Sequence, residues 1–128
     1  MLFDVVDESR HIYGGLPLGK NLGSWVKWAP SFNLDRVQAP LLINAIGNGS
    51  VMAEWEIYDS LRLQKKPVEL TYMPQGQHIL QRPLERLASQ QGSVDWFRFW
   101  LQRYEDPEPS KAAQYIRWEA LRTLMETR

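Results

Sequence analysis

Cysteine is absent from this 128-residue chain. That excludes disulfides, thiolate nucleophiles and cysteine-based zinc sites together, and it suits either redox compartment. Histidine is nearly absent: His11 and His78 are the two present, so a histidine-rich metal centre is not expected, and no motif asks for a cofactor. Neither charge is in excess, with 15 basic residues against 15 acidic ones and no block of one sign. Such a surface offers no electrostatic footprint for nucleic acid or an anionic membrane, so neither is expected as a partner. No apolar run approaches the roughly 20 residues that a bilayer-spanning helix needs. The opening MLFDVVDE carries acids where a secretion signal carries basic residues, so no export signal is expected.

What is present is apolar. Hydrophobic residues make up 44% of the chain, which argues for a globular domain, or a large piece of one, with a real core. The middle is the informative part. Leu41-Leu42-Ile43-Asn44-Ala45-Ile46 is almost continuously apolar, as in a strand buried on both faces of a parallel sheet. Gly47-Asn48-Gly49-Ser50 is expected to end it. Over 52–64, Ile57, Tyr58 and Leu61 recur at helical spacing while Glu54, Asp59 and Arg62 are free to face water, which predicts a crossover helix. Residues 68–73 alternate, with Val68, Leu70 and Tyr72 on one face and Glu69, Thr71 and Met73 on the other, between Pro67 and Pro74. A helix joining two strands in this way makes a right-handed crossover, so the strands should be parallel neighbours in an α/β fold.

The flanks are less regular. Residues up to about 23 read as loop with one short helical turn, and Ser24 is placed as the cap of a short helix carrying Trp25, Val26 and Trp28 that stops at Ala29-Pro30. The segment 31–38 is expected to be a connector. Two helices are expected later, a short one over 83–89 and an aromatic one over 94–104 capped by Ser93. The second carries Trp96, Phe97, Phe99, Trp100 and Leu101 on more than one face and must be largely buried. Asp106-Pro107-Glu108-Pro109 breaks it, and Ser110 caps a last helix with Ala112, Tyr115, Ile116 and Ala120 at core spacing. Core packing is the safer account of most of the six tryptophans, although Trp25 and Trp28 stand where a pocket wall could be. His11 reads as a surface residue.

His78 comes soon after the second strand. In open α/β sheets, ligands gather at the carboxyl ends of the strands, where loops converge on a rigid frame. An imidazole there is a candidate general base, because it titrates near neutrality. The plain alternative is a histidine that merely hydrogen-bonds in a surface loop.

Several pieces now fall into an order: Trp25 with Ala29-Pro30, then FNLDRVQAPLLI, WEIYDSLR, KPVEL, Gly76-Gln77-His78 and WFRFWL. Over residues 13–104 this pattern resembles the C-terminal end of an α/β-hydrolase catalytic domain, with the prolyl oligopeptidase family of serine peptidases as the nearest match. The resemblance implies a partial α/β-hydrolase fold made of the last parallel strands and their flanking helices. Residues 1–105 would be the C-terminal portion of the catalytic domain and 106–128 a linker and helix. It also implies a serine, aspartate, histidine triad in that chain order, with His78 as base and a peptide as the parent enzyme's substrate. His78 would take the proton of a serine hydroxyl and return it to the leaving amine, while a carboxylate holds its other ring nitrogen.

Two departures limit what is carried over. The Gly-x-Ser-x-Gly turn that presents such a nucleophile is missing. Gly47-Asn48-Gly49-Ser50-Val51 has glycine and serine at the wrong offsets and falls where the acid loop belongs, so the elbow is expected upstream of this chain. Asn48 then stands at the position of the triad acid, where it keeps an acceptor and loses the charge. Glu54 is the candidate substitute acid, from the start of the crossover helix; its plain alternative is an acid that serves the helix dipole and solvent.

The leading expectation is therefore a C-terminal fragment of a prolyl-oligopeptidase-like serine hydrolase, carrying the triad histidine without the serine and inactive alone. The alternative is a non-catalytic binding module built on that scaffold. A third class is a small enzyme with unrelated chemistry at His78. A two-stranded sheet with an open edge also predicts self-association.

Overall fold

In the computed structural model, described for residues 10–127, a 3-10 turn at Gly19–Asn21 leads into helix α1 (Leu22–Trp28) and a 3-10 segment at Pro30–Arg36. Strand β1 (Leu41–Ile46), helix α2 (Gly47–Leu63), strand β2 (Val68–Met73) and helix α3 (Pro83–Gln102) come next. A 3-10 turn at Pro109–Lys111 then opens helix α4 (Ala112–Glu126). The acidic opening, residues 1–8, lies outside the described part.

The two strands pair in parallel, with Leu41 opposite Val68 and Ile46 opposite Met73. This is the predicted strand, crossover helix, strand unit, and it makes the protein α/β. Laterally paired residues of parallel strands share a face, so Leu41, Ile43 and Ala45 lie with Val68, Leu70 and Tyr72. Tyr72 reaches Asn48 in the first turn of α2, which places the crossover helix on that side. Leu42, on the opposite side, packs against a cluster of Trp96, Phe99, Tyr115 and Trp118 contributed by α3 and α4. Helices therefore cover both faces of a small sheet, as parallel strands require.

The aromatic cluster explains part of the run read from the sequence. Trp96 and Phe99 are buried, but Phe97 and Leu101 are 61% and 78% exposed, so the helix buries one face and is not largely buried as expected. Trp118 meets Trp96 edge-on at 5.1 Å and Tyr115 edge-on at 5.5 Å, an arrangement that sets the positive rim of one ring against the negative face of the next. Phe99 is fully buried at its centre. Arg122 donates to the Phe99 carbonyl at 2.9 Å and lays its guanidinium 3.7 Å from that ring.

Five local expectations are corrected. Gly47-Asn48-Gly49-Ser50 is not a strand-ending loop but the first turn of α2. Gly47 has φ of +69°, a left-handed conformation open to glycine, and this lets the chain turn from strand to helix without an intervening loop. The helices expected over 83–89 and 94–104 are one continuous helix. Ser93 does not cap; its hydroxyl donates to the Ser89 carbonyl inside the helix, which runs on through Gly92-Ser93 although its first half is largely exposed. Ser24 sits inside α1, which starts two residues before it. Ser110 lies in the 3-10 turn and donates to Glu108 instead of capping α4. The stop before Pro30 does hold: α1 ends at Trp28 and Ala29 is extended.

The chain divides into two compact units, Met1–Val37 and Gln38–Arg128. In the first, the Trp25 indole donates to the Gly15 carbonyl at 2.7 Å and Asn33 donates to the carbonyls of Val26 and Ala29. The second holds the sheet and, with it, the C-terminal helix. Lys111 lies 2.8 Å from both Asp95 and Asp106, and Arg117 ties α4 to Glu69 of β2 at 3.0 Å. Among the described residues no helix is long and apolar enough to cross a membrane.

Candidate functional site

The carboxyl ends of β1 and β2 lie side by side, because the register runs unbroken to Ile46 and Met73. The segments leaving the two strands are therefore brought to one edge. Gly47 leaves β1 and Gly76 lies just past β2, and a Cβ on Gly47 would stand 3.2 Å from the Gly76 carbonyl oxygen. A Cβ on Gly76 would meet Ile46 Cγ2 at 2.7 Å and the Met73 carbonyl oxygen at 3.1 Å. Two glycines thus let the two segments touch, and each segment carries a predicted site residue one or two positions on.

Asn48 is exposed in the first turn of α2. Its Oδ1 accepts a hydrogen bond from the Tyr72 hydroxyl. His78 is exposed in the loop beyond Gly76, and its imidazole has no hydrogen-bond partner among the described residues. The structure brings Asn48 and His78 to the same edge without joining them by a hydrogen bond. Glu54 belongs to a lower level. Because α2 starts at Gly47, Glu54 lies seven residues along it, about 10 Å down the axis, and its Oε2 is buried without a hydrogen-bond partner.

The two segments that meet at this edge carry an amide, Asn48, and an imidazole, His78. An imidazole can accept or donate a proton, and among the described residues neither side chain has a hydrogen bond or ion pair to a carboxylate. No group of three or more metal-binding side chains occurs among the described residues. A cleft of about 380 Å³ lies on the other side of the sheet, lined by Leu42, Glu69 and Thr71 together with parts of α3 and α4. It includes none of the three predicted residues. Trp28 is 63% exposed with Lys27 over its ring, whereas Trp25 is half-buried against Tyr13. His11 is exposed.

Tyr72, Gly47 and Gly76 are site residues that sequence reasoning does not single out. Tyr72 is legible in part, since strict alternation places it on the crossover-helix face near the carboxyl end of β2. The reciprocal closeness of the two glycines has no signature in a single sequence.

No protein-family model matches the chain. The chain is 39% identical over 102 residues to the lasso peptide isopeptidase AtxE2 of Asticcacaulis excentricus, a match that takes in 80% of this chain and 14% of the relative. Among solved structures, a serine-to-alanine variant of AtxE2 with Astexin3-dC4 bound superposes with a TM-score of 0.72 at 40% identity, covering 79% of this chain and 15% of that one. The apo form of AtxE2 gives a TM-score of 0.68 at 38% identity, over 78% and 15% respectively. The chain therefore spans about one seventh of the length of the relative it matches.

This similarity corrects the family expectation. The chain is similar to a lasso peptide isopeptidase, and neither a C-terminal fragment of a prolyl-oligopeptidase-like peptidase nor a non-catalytic binding module is what the comparison favours. The residues that carry the prolyl oligopeptidase resemblance describe a parallel strand pair, its crossover helix and a histidine loop. Those are features of an architecture, and architecture does not select among the hydrolases that use it.

Proposed function

We propose that this chain forms the acid–base edge of an isopeptidase-type hydrolase, a partial α/β-hydrolase fold in which β1 and β2 are the last strands of a larger parallel sheet. In this reading residues 1–105 are the hydrolase-related portion and 106–128 a C-terminal addition clamped onto α3. The substrate class is a lasso peptide, and the bond broken is an amide. The observation that carries the reading is the close approach of the two strand-end segments that bear Asn48 and His78, in a chain 39% identical over 102 residues to a lasso peptide isopeptidase.

His78 has the role of general base. It would take the proton from a serine hydroxyl supplied by polypeptide that this chain does not contain, and return it to the departing amine. Asn48 occupies the position of the acid that orients the imidazole. Glu54 is the carboxylate available to substitute, provided that its side chain reaches from the second turn of α2.

A chimera tests the proposal: this chain's matched residues replace the corresponding 102 of AtxE2, and opening of Astexin3-dC4 is followed by mass spectrometry. It is built with Asn48 and with Asn48→Asp, so that a silent site is not mistaken for a wrong one. His78→Ala is expected to lower the rate by roughly 10²- to 10⁴-fold in whichever background turns over. Rates indifferent to His78→Ala, or no turnover in either background, would overturn the reading.

A further inference from the structure

The hydrogen bond between Tyr72 and Asn48 has a chemical polarity that bears on the proposed site, provided that Asn48 and His78 are neighbours there as that reading holds. A side-chain amide has one accepting end and one donating end. In Asn48 the accepting end is taken, because Oδ1 receives the Tyr72 hydroxyl proton. The donating end, Nδ2, has no partner among the described residues. Tyr72 belongs to a paired strand, opposite Ala45, which is fully buried. The strand holds the Tyr72 backbone while the residue is 42% exposed, and Asn48 sits where the chain leaves the sheet. The Tyr72 hydroxyl sets which end of the amide is taken.

We propose that Tyr72 is a positioning residue: by holding Asn48 Oδ1 it presents Nδ2–H to the His78 loop, and this fixes the imidazole in the tautomer that accepts at Nδ1 and carries its own proton on Nε2. The consequence for proton transfer is direct. A base acting on a hydroxyl must have a lone pair on the nitrogen facing that hydroxyl, and in a triad this is Nε2. With Nε2 already protonated, the O–H bond of the nucleophile has no acceptor, so the first proton transfer proceeds only through the minor tautomer. The site as it stands turns over slowly. With a carboxylate at position 48, the same Tyr72 hydroxyl would hold one oxygen and leave the other to accept from Nδ1–H. The single imidazole proton then sits on Nδ1, and Nε2 is free to take the hydroxyl proton. Tyr72 therefore serves either side chain, and the identity of residue 48 decides how readily the histidine acts as a base.

The test reads the tautomer and requires no turnover. The full chain is labelled with ¹⁵N at its histidines, His78 is distinguished by His11→Gln, and the two ring nitrogens are observed in mildly alkaline buffer, where imidazole is neutral. Water alone favours the Nε2–H form, so the comparison among variants carries the decision. Asn48→Asp is expected to move His78 to the Nδ1–H form. Tyr72→Phe, which removes only the hydroxyl, is expected to raise the Nδ1–H fraction above that of the native chain, because the freed amide now also turns its oxygen toward the ring. If Asn48→Asp shifts the resonances and Tyr72→Phe leaves them unchanged, Tyr72 does not position the amide; the inference fails while the shared site stands. If neither variant moves them, Asn48 and His78 do not share a site, and the functional reading falls with it. A second measurement needs no variant: the Asn48 Nδ2 protons should cross-relax with the His78 ring. Cross-relaxation with the Tyr72 ring instead would reverse the amide and overturn the proposal.

Discussion

Lys111 holds its ammonium 2.8 Å from the carboxylate of Asp95, a side chain only 2% exposed. Asp95 also accepts from Gln91 at 2.8 Å and from Gln114 at 3.4 Å, so its charge is buried but surrounded by donors, as a buried carboxylate must be. The pair joins the middle of α3 to the turn that opens α4. It makes the C-terminal helix part of the sheet-bearing unit.

Removing the cation leaves that carboxylate without its counter-charge. Lys111→Met is expected to destabilise the protein by about 3 kcal/mol, the usual penalty for breaking a buried pair from one side. Adding Asp95→Leu to Lys111→Met should recover much of the loss, since an apolar pair has no desolvation to offset. Urea denaturation followed by tryptophan emission measures both. Additive losses in the double variant would show that the two side chains are not coupled.

The same clamp sets a pH window. Lys111 and the Glu108 amide, in that order, hold the Asp106 carboxyl below its ordinary value of 3.8. Asp106 and then Asp95 hold the Lys111 ammonium above its ordinary 10.5. A depressed carboxyl contributes stability above its unfolded pKa and loses it as the pH falls through the folded value; a raised ammonium contributes below its unfolded pKa and loses it as the pH rises through the folded one. The clamp is therefore at full strength between 3.8 and 10.5. The native Tm should fall more steeply below pH 3.8 than that of Asp106→Asn, and parallel acid limbs would contradict the assignment.

How much of this is legible in the sequence depends on the range of the interaction involved. β1, β2 and the crossover between them are readable because alternation and apolar runs report local geometry, and Pro30 ends α1 for a local steric reason. Gly92-Ser93 signals a break that does not occur: the Ser93 hydroxyl bonds back to the Ser89 carbonyl within the helix, and the half that follows is held by Trp118 and Tyr115, far along the chain. Gly47-Asn48-Gly49-Ser50 misleads because a glycine at positive φ permits both a loop and an immediate helix start. The edge position of His78 is readable from the strand before it. The hydroxyl that Tyr72 gives to Asn48 spans 24 residues, and no sequence spacing announces such a contact.

Close backbone approach makes its own forecast. Gly76→Ala would drive a Cβ to 2.7 Å from Ile46 Cγ2 and 3.1 Å from the Met73 carbonyl oxygen. A β-branched side chain and a strand carbonyl both yield poorly, so the expected cost is about 1–3 kcal/mol, with the His78 loop displaced. Gly49→Ala meets nothing within 4 Å and lies inside α2, so it should stabilise the protein by about 0.5 kcal/mol or more. Thermal melts of the two variants should move in opposite directions. A neutral Gly76→Ala would mean that the two strand-end segments are not in contact.

In the chimera, restoring charge at residue 48 is the change with the largest expected effect on rate. A carboxylate in that position stabilises the imidazolium that forms as the proton leaves the hydroxyl, and loss of that charge in a serine triad costs on the order of 10⁴-fold in kcat. Asn48→Asp should therefore raise kcat by roughly 10²- to 10⁴-fold and leave KM nearly unchanged, because the imidazolium exists in the transition state and not in the bound ground state. Glu54→Gln in the Asn48→Asp background should then have little effect, since the nearer carboxylate supersedes one buried in the second turn of α2. If Asn48→Asp changes KM and not kcat, residue 48 contacts the peptide and does not orient the base. If Glu54→Gln alone removes the activity of the chimera that retains Asn48, the acid of this site is Glu54.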